Sequence, residues 1–307
     1  TQSRSSAASD VYKRQPLELV TPATIKRIGS FFSTISKDVR KAFKNPKLIE
    51  ILEFPVLFLG AKPSDTPSFY SFMNFADFGI GTFHPQKGMH AVIEGMVQLA
   101  KELGVHLYTD SPVERILTEN KKAIGVQING EEILSDIVLS GADYHHTETL
   151  LPEALRQYSE SYWDSKTFAP SSLLFYVGFD KKLERVNHHT LFFDTDFEKH
   201  AVEIYDKPKW PEAPLFYANF PSITDASMAP EGKEAGFFLI PLAPGIEDSE
   251  ALRAQYFEII MNRLEKLTGQ TVKKNIIFKE SFCVKDFVEQ YNSYKGNAYG
   301  LANTLLQ

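Results

Sequence analysis

Apolar residues recur at helical spacing through the first third of the chain and at every second position further on. Between residues 26 and 47, Phe31, Phe32, Ile35, Val39 and Phe43 alternate with cations at a spacing that predicts a basic amphipathic helix. Asn45-Pro46 opens a second helix through Leu48, Ile49, Ile51 and Leu52, because proline is tolerated in a first turn. That helix gives way at Pro55 to the apolar run VLFLGA. Thr66-Pro67 opens a further helical stretch, SFYSFMNFADF, whose aromatic side chains line either a core or a hydrocarbon pocket. The clearest helix covers residues 88–103, with Met89, Val92, Ile93, Met96, Val97, Ala100 and Leu103 on one face and Gly104 as its stop.

Beyond Gly104 the period shortens to two. Residues 105–108, 113–117, 123–128 and 132–134 are β-like, and Asn129-Gly130 is a two-residue hairpin signal. DIVLS at residues 136–140 is expected to be a buried strand leading into GADYHHT. Helix, strand, meander and buried strand in this order predict an α/β layout. From Ser171 the runs SLLFYVGF, HTLFF, PLFYANF and GFFLIPLAP, separated by loops rich in Pro, Asp and Gly, predict a second, mainly antiparallel sheet. A helix follows over residues 249–267, and no internal repeat is present.

Composition narrows the function classes. With 307 residues, 43% hydrophobic and 23% charged, the chain is globular and long enough for two domains. A single cysteine, Cys283, forms no internal bridge and points to a reducing, cytoplasmic setting. The longest apolar run, residues 54–61, is far short of the roughly 20 residues a spanning helix needs, so the expectation is a soluble protein or one lying on a membrane surface. A formal net charge of −6 argues against nucleic acid as a partner. Residues 5–15, SSAASDVYKRQ, resemble the in-frame translation of a sequencing adapter, and residues 1–15 are set aside on that ground. Arg4, Lys13 and Arg14 against Asp10 give that segment +2, leaving −8 for the rest. The expectation is therefore a fragment, truncated at both ends. Within the acidic remainder, Lys26, Arg27, Lys37, Arg40, Lys41, Lys44 and Lys47 stand against Asp38 alone, a local +6. Two readings of that segment stay open: a core-facing stripe with a solvated face, and an interfacial membrane helix.

Residue by residue, no reaction emerges. There is no GxSxG elbow, P-loop or GxGxxG, and no spacing that holds zinc. The pairs His145-His146 and His188-His189 are adjacent, and neighbouring side chains do not readily share one metal, so no metal is expected. Asp143 and Asp225 could be general bases by residue type, but a turn or cap role is the one expected.

Longer motifs carry a resemblance. HPQKGMHAVIEGMVQLAKELGVHLYTDSPVERIL is similar to the second FAD-domain segment of the flavoprotein superfamily that includes amine oxidases and phytoene desaturases. HHTLFF at residues 188–193, PSITDASMAPEG at 221–232, YKGNAYGL at 294–301 and the earlier run FKNPKLIEILEFPVLFLGAKP resemble the bacterial and fungal phytoene desaturases in particular. The resemblance implies an α/β (α+β overall) fold in which a partial Rossmann-like FAD domain is interleaved with a substrate domain built on a mainly antiparallel sheet plus helices. The implied divisions are residues 16–81 and 148–280 for the substrate domain, 82–147 for an FAD-domain segment, and 281–307 for a return toward the FAD domain. Both glycine-rich FAD motifs are expected outside the chain.

The resemblance also implies FAD as cofactor and a flavin site that includes Pro85, Gly88, Met89, Val113, Gly141, Ala142 and Asp143. Lys87 departs from the superfamily's usual glycine pair. The activity implied is desaturation of phytoene or a related carotenoid, with hydride leaving an allylic carbon and a proton leaving its neighbour. The partners implied are a hydrophobic polyene substrate and, peripherally, a membrane surface. At the positions where other members carry an acidic residue and an arginine, this chain has Asn45 and Ile49, neither of which exchanges a proton usefully, so no catalytic residue is assigned. A carotenoid isomerase and a retinol-saturase-like reductase share the scaffold, and a non-catalytic isoprenoid-binding protein is the alternative from another class.

Overall fold

The computed structural model describes residues 28–302. The described residues divide into two compact units, residues 28–82 and residues 83–302. Lys26, Arg27, the run at residues 1–15 and the last five residues lie outside the described residues.

In the first unit the basic segment is broken into a 3-10 turn, Ile28–Phe31, and a helix α1, Ile35–Ala42. Continuity fails because the backbone before α1 bonds elsewhere. The Ser68 amide donates to the Ser33 carbonyl at 2.8 Å, the Ile35 amide donates to the Thr66 carbonyl at 3.0 Å, and Thr34 bridges Pro67. Thr34 then caps α1 through the Lys37 amide at 3.3 Å. Helix α2, Pro46–Glu53, starts as the sequence predicts, with the Asn45 side chain accepting the Lys47 amide at 3.0 Å. Arg40 joins the two helices by donating to both carboxylate oxygens of the buried Glu53, at 2.9 and 3.1 Å. The stretch after Pro67 is a 3-10 turn, Ser68–Ser71, one α turn and a π-helical turn, Phe75–Ile80. It leaves Phe72, Phe75 and Phe78 exposed rather than packed in a core.

The second unit opens with α3, His90–Glu102, which stops at Gly104 in the left-handed region, φ +78°. Its helical character matches the sequence, but its apolar face is bare: Ile93, Met96 and Leu99 are each more than half exposed. An antiparallel meander follows, β1 (Val113–Glu119), β2 (Lys122–Ile128) and β3 (Glu131–Leu134). Asn129-Gly130 forms the expected hairpin with both φ positive, and Asn120-Lys121 forms a second of the same kind. Residues 105–108 and 136–140, expected as strands, are not paired. A strand exists through its neighbours, and among the described residues none runs beside either segment. Ile137 and Leu139 are accordingly 83% and 93% exposed, the reverse of a buried strand.

The predicted antiparallel sheet is present with one strand more than the hydrophobic runs suggested. Its strands are β4 (Ser171–Phe179), β5 (His189–Phe192), β6 (Phe216–Asn219), β7 (Glu234–Leu242) and β8 (Ile276–Phe282), in the order β5-β6-β7-β4-β8. Strands β4 and β7 pair along their whole length, from Ser171 opposite Leu242 to Phe179 opposite Glu234. One face is core: Leu173, Phe175, Val177, Phe216, Phe238 and Ile240 pack with Phe257, Ile260, Met261 and Leu264 of α7 (Glu250–Thr268). The intervening helices are α4 (Tyr144–Thr149), α5 (Glu160–Asp164) and α6 (Phe197–Tyr205); α8 (Val284–Tyr291) follows β8.

Helix α6 is fastened to β7 by a buried histidine. His200 accepts the Leu215 amide at Nδ1, 3.1 Å, and donates from Nε2 to the Pro241 carbonyl, 3.0 Å. Acceptance at Nδ1 requires a neutral ring, and burial pushes its pKa down to about 4. The unfolded chain therefore binds one more proton than the folded one between about pH 4 and about pH 6.5, and stability is lost as pH falls through that window. This group alone should account for about 3 kcal/mol between those limits. Urea unfolding as a function of pH checks it: His200→Gln should be weaker than the parent at pH 7 and show a shallower slope below pH 6.5. An unchanged slope would remove His200 as the titrating group.

Candidate functional site

The face of the five-stranded sheet opposite the core carries one apolar row and one mixed row. Register sets Leu191, Tyr217, Leu239, Leu174 and Phe282 in one row across all five strands. A second row runs His189, Asn219, Phe237, Tyr176 and Glu280. Because side chains alternate along a strand, both rows project away from α7. They are less buried than the core rows, with Tyr176 43% and Leu191 37% exposed.

At the β4–β8 end of this face lies a cavity of about 590 Å³. Leu174, Tyr176 and Phe282 of the sheet form one side and Phe287 and Tyr291 of α8 another; Gly141, Ala142, Asp143 and the loop at residues 297–300 close it. Burial raises the phenol pKa of Tyr176 and Tyr299 above the usual value, so both are neutral donors. Asp143 is the single carboxylate in the lining, and it is occupied. Its Oδ1 accepts the His146 amide at 3.1 Å and caps α4, while its Oδ2 accepts the Tyr294 amide at 3.3 Å and the Asn297 side-chain amide at 3.5 Å. That is the cap role, extended into a brace. A largely aromatic cavity whose one carboxylate is hydrogen-bonded on both oxygens suits a flat or extended apolar ligand and offers little acid–base chemistry.

The YKGNAYGL motif supplies the brace. Tyr294 donates its hydroxyl to Asp164 and Lys295 its ammonium to the same oxygen, each at 2.8 Å. Gly296 is in the left-handed region, φ +68°, and a Cβ there would stand 2.4 Å from the Val284 carbonyl, so only glycine admits this approach. Trp163, buried under Tyr144, Tyr158 and Tyr162, backs the same wall. His145, one of the adjacent histidine pairs, is packed on Trp163 and Tyr294 and bonds Glu160 at 3.0 Å. Among the described residues no group of three His, Cys, Asp or Glu could hold a metal.

The sequence-derived flavin residues fall in three places. Gly141, Ala142 and Asp143 line the cavity. Val113 heads β1 opposite Ile128. Pro85, Gly88 and Met89 form a turn in which the Gly88 amide donates to the Pro85 carbonyl at 2.9 Å, and none of the three lines the cavity. The fit to a flavin differs between them. A Cβ built on Gly141 meets nothing within 4 Å, so that small-residue wall is open to a flat ring facing the aromatic side chains. A Cβ on Gly88 would stand 2.9 Å from the Met228 methyl, so that side of the turn is filled by protein and its backbone is what it can offer. Sequence reasoning missed Leu174, Tyr176, Phe282, Phe287 and Tyr291. The strand register that unites the first three is not visible until β8 is paired.

The β8–α8 corner that walls the cavity is held by Arg253, whose side chain is 8% exposed. Arg253 donates to both oxygens of Asp248 at 2.8 and 2.6 Å and contacts Asp286 at 2.7 Å, and Asp248 also accepts the Lys285 amide at 2.9 Å. Burial pushes the Asp248 carboxyl up, but the Arg253 and Lys285 bonds outweigh it and leave the pKa below the usual value. Nearby, burial pushes the Cys283 thiol to about 12, so it is no nucleophile.

With this geometry the comparisons agree. An oxidoreductase from Methanosarcina mazei shares the fold with a TM-score of 0.56 at 19% identity, over 82% of this chain and 56% of that one. Over residues 23–307 the chain matches the flavin containing amine oxidoreductases and belongs to that family, whose cofactor is FAD. It is 39% identical over 287 residues to a carotenoid 3,4-desaturase of Haloarcula japonica, covering 93% of this chain and 57% of that protein. It is 29% identical over 280 residues to a zeta-carotene-forming phytoene desaturase of Myxococcus xanthus, covering 88% and 53%. The chain thus spans about half the length of the curated relatives it matches.

Removing Arg253 leaves two carboxylates without their shared cation. Arg253→Met should cost about 3 to 5 kcal/mol in urea unfolding, and a second substitution, Asp248→Leu, should recover part of it. Additive losses in the double variant would show that the pair does not act as a unit.

Proposed function

We propose that the protein carrying this chain is an FAD-dependent desaturase of phytoene or a related carotenoid. The observation that carries the proposal is the apolar row across the sheet's outer face, with its cavity, in a chain that belongs to a flavoprotein family and matches carotenoid desaturases along most of its length. A polyene has almost no polar handle, so recognition has to come from area. Each methylene buried on such a face contributes about 0.8 kcal/mol. Leu191, Tyr217, Leu239, Leu174 and Phe282 supply the row on which the chain lies, and Tyr176 and Phe287 narrow its end. Bound FAD supplies the hydride acceptor. The residues around the cavity orient the allylic carbons, exclude water and offer no competing nucleophile.

In this proposal Gly141, Ala142 and Asp143 face the flavin ring, Val113 the adenine side, and Pro85, Gly88 and Met89 the approach between them. The bare face of α3 and the unpaired residues 105–108 and 136–140 support the idea that further strands and helices of the flavin domain, in a longer protein, cover them. Residues 82–147 then belong to the FAD domain and 148–280 to the substrate domain. Complementation tests the activity: the complete reading frame, expressed in a host that accumulates phytoene, should yield coloured products of extended conjugation. Leu239→Asn should lower pigment severalfold while flavin content is kept. Colourless extracts from a flavin-loaded protein would favour the isomerase, reductase or binding alternatives.

The proposal extends to a peripheral membrane contact in the first unit, since the substrate partitions into bilayers. Lys37, Lys41, Lys44 and Lys47 are exposed beside Phe32 and Phe43, and among the described residues no helix is long and apolar enough to cross a membrane. Arg40 is committed to Glu53 and counts less. Each exposed cation near an anionic leaflet contributes about 1 kcal/mol. Binding to anionic liposomes should therefore weaken with salt and drop sharply in Lys37→Glu/Lys41→Glu/Lys44→Glu. Equal sedimentation of the folded triple variant and the parent would place the contact elsewhere.

A further inference from the structure

The turn that precedes α3 has a lysine where the backbone calls for glycine. Lys87 and Gly88 are both left-handed, φ +68° and +83°, and together they reverse the chain immediately before the helix. A lysine adopts that conformation at a cost, which a bond from outside the turn helps to offset. The bonding partner is 138 residues away. Asp225 Oδ2 accepts the Lys87 amide at 2.7 Å, while Oδ1 accepts the Ser227 amide at 3.0 Å and its hydroxyl at 2.6 Å. The same loop sends Met228 under Gly88, against the space a Cβ would take.

The surroundings favour this bond. His84 Nε2 lies 3.5 Å from the carboxylate, and the His84 ring meets the buried His188 edge-on at 4.7 Å between centroids. His188 in turn bonds the Thr224 hydroxyl at 2.5 Å. The Asp225 side chain is 15% exposed, and a charged acceptor bonds an amide more strongly than a neutral one. Bonds from Ser227 and the Lys87 amide hold its carboxyl down at about 2, so it serves as an acceptor and not as a general base.

We propose that Asp225 is a positioning residue for the cofactor, fixing the Lys87-Gly88 turn in the geometry that directs α3 and presents the turn's backbone to the flavin. The inference rests on the reading that this turn borders the flavin, and the test separates the two. In the flavoprotein made from the complete reading frame, Asp225→Ala should raise the dissociation constant for added FAD about tenfold, measured by quenching of flavin fluorescence. Asp225→Asn keeps an acceptor oxygen and should recover most of that loss. Ser227→Ala disturbs only the loop's own bonds and should leave FAD affinity within about twofold. Hydrogen exchange of the Lys87 amide in the apoprotein should accelerate in Asp225→Ala and not in Ser227→Ala. Unchanged exchange in Asp225→Ala would overturn the brace itself. Faster exchange with unaltered FAD affinity would overturn the flavin's place at the turn, and with it the positioning role. Equal loss of affinity in Ser227→Ala and Asp225→Ala would reduce the effect to loop integrity and overturn the assignment to Asp225.

Discussion

The pleat of β4 and β7 makes one sheet serve two different surroundings. Nine consecutive residues of each strand pair without a bulge, so every side chain is committed to one face or the other. Phe175 and Phe238, paired with each other, go to the core under Phe257, while their neighbours Leu174, Tyr176, Phe237 and Leu239 go to the opposite side. A shift of one residue would exchange the two sets. Packing against α7 excludes that shift, since Tyr176 would then have to enter a space now filled by Phe175 and sealed by Ile260 and Leu264. The apolar row of the outer face is thus a consequence of how firmly the inner face is fixed.

Polar groups then close what the sheet leaves open. Arg253 locks the β8–α8 corner from beneath, and Asp143 locks the glycine-alanine turn from above. Neither charge is left as a free group: Arg253 is ion-paired with Asp248 and Asp286, and both oxygens of Asp143 accept amides. The two roles are separate in sequence and converge on the same few residues between Phe282 and Asn297.

How much of this was legible beforehand depended on whether the signal was local. The α3 helix, the Asn129-Gly130 hairpin, the Asn45 cap and the runs that became β4, β6 and β7 were readable because spacing and turn chemistry lie within a few residues. Strand β8 was not, since IIFKESF mixes charges with aromatics and acquires its pattern only by lying beside β4 at the sheet's edge. The single basic helix failed because Ser33 and Ile35 bond across to residues 66–68, a contact that helical spacing cannot announce. DIVLS read as a strand on composition, yet composition does not provide a neighbour. The turn or cap role expected of Asp143 and Asp225 is what the local amides of His146 and Ser227 show, whereas the long-range amide each also accepts has no local signal.

Those long-range amides also bear on when the cavity can close during folding. Asp143 meets the Tyr294 amide across 151 residues and the Asn297 side chain across 154, and Asp225 meets Lys87 across 138. Closing loops of that size is slow in entropic terms unless the chain between has already condensed. The sheet and α7 lie between the Asp143 partners and can form first; the cavity can close only after residue 297 is available. A chain released or cleaved before that point would hold its core and the apolar row of its outer face with one wall missing, and so would expose to the cell the surface it is least suited to show.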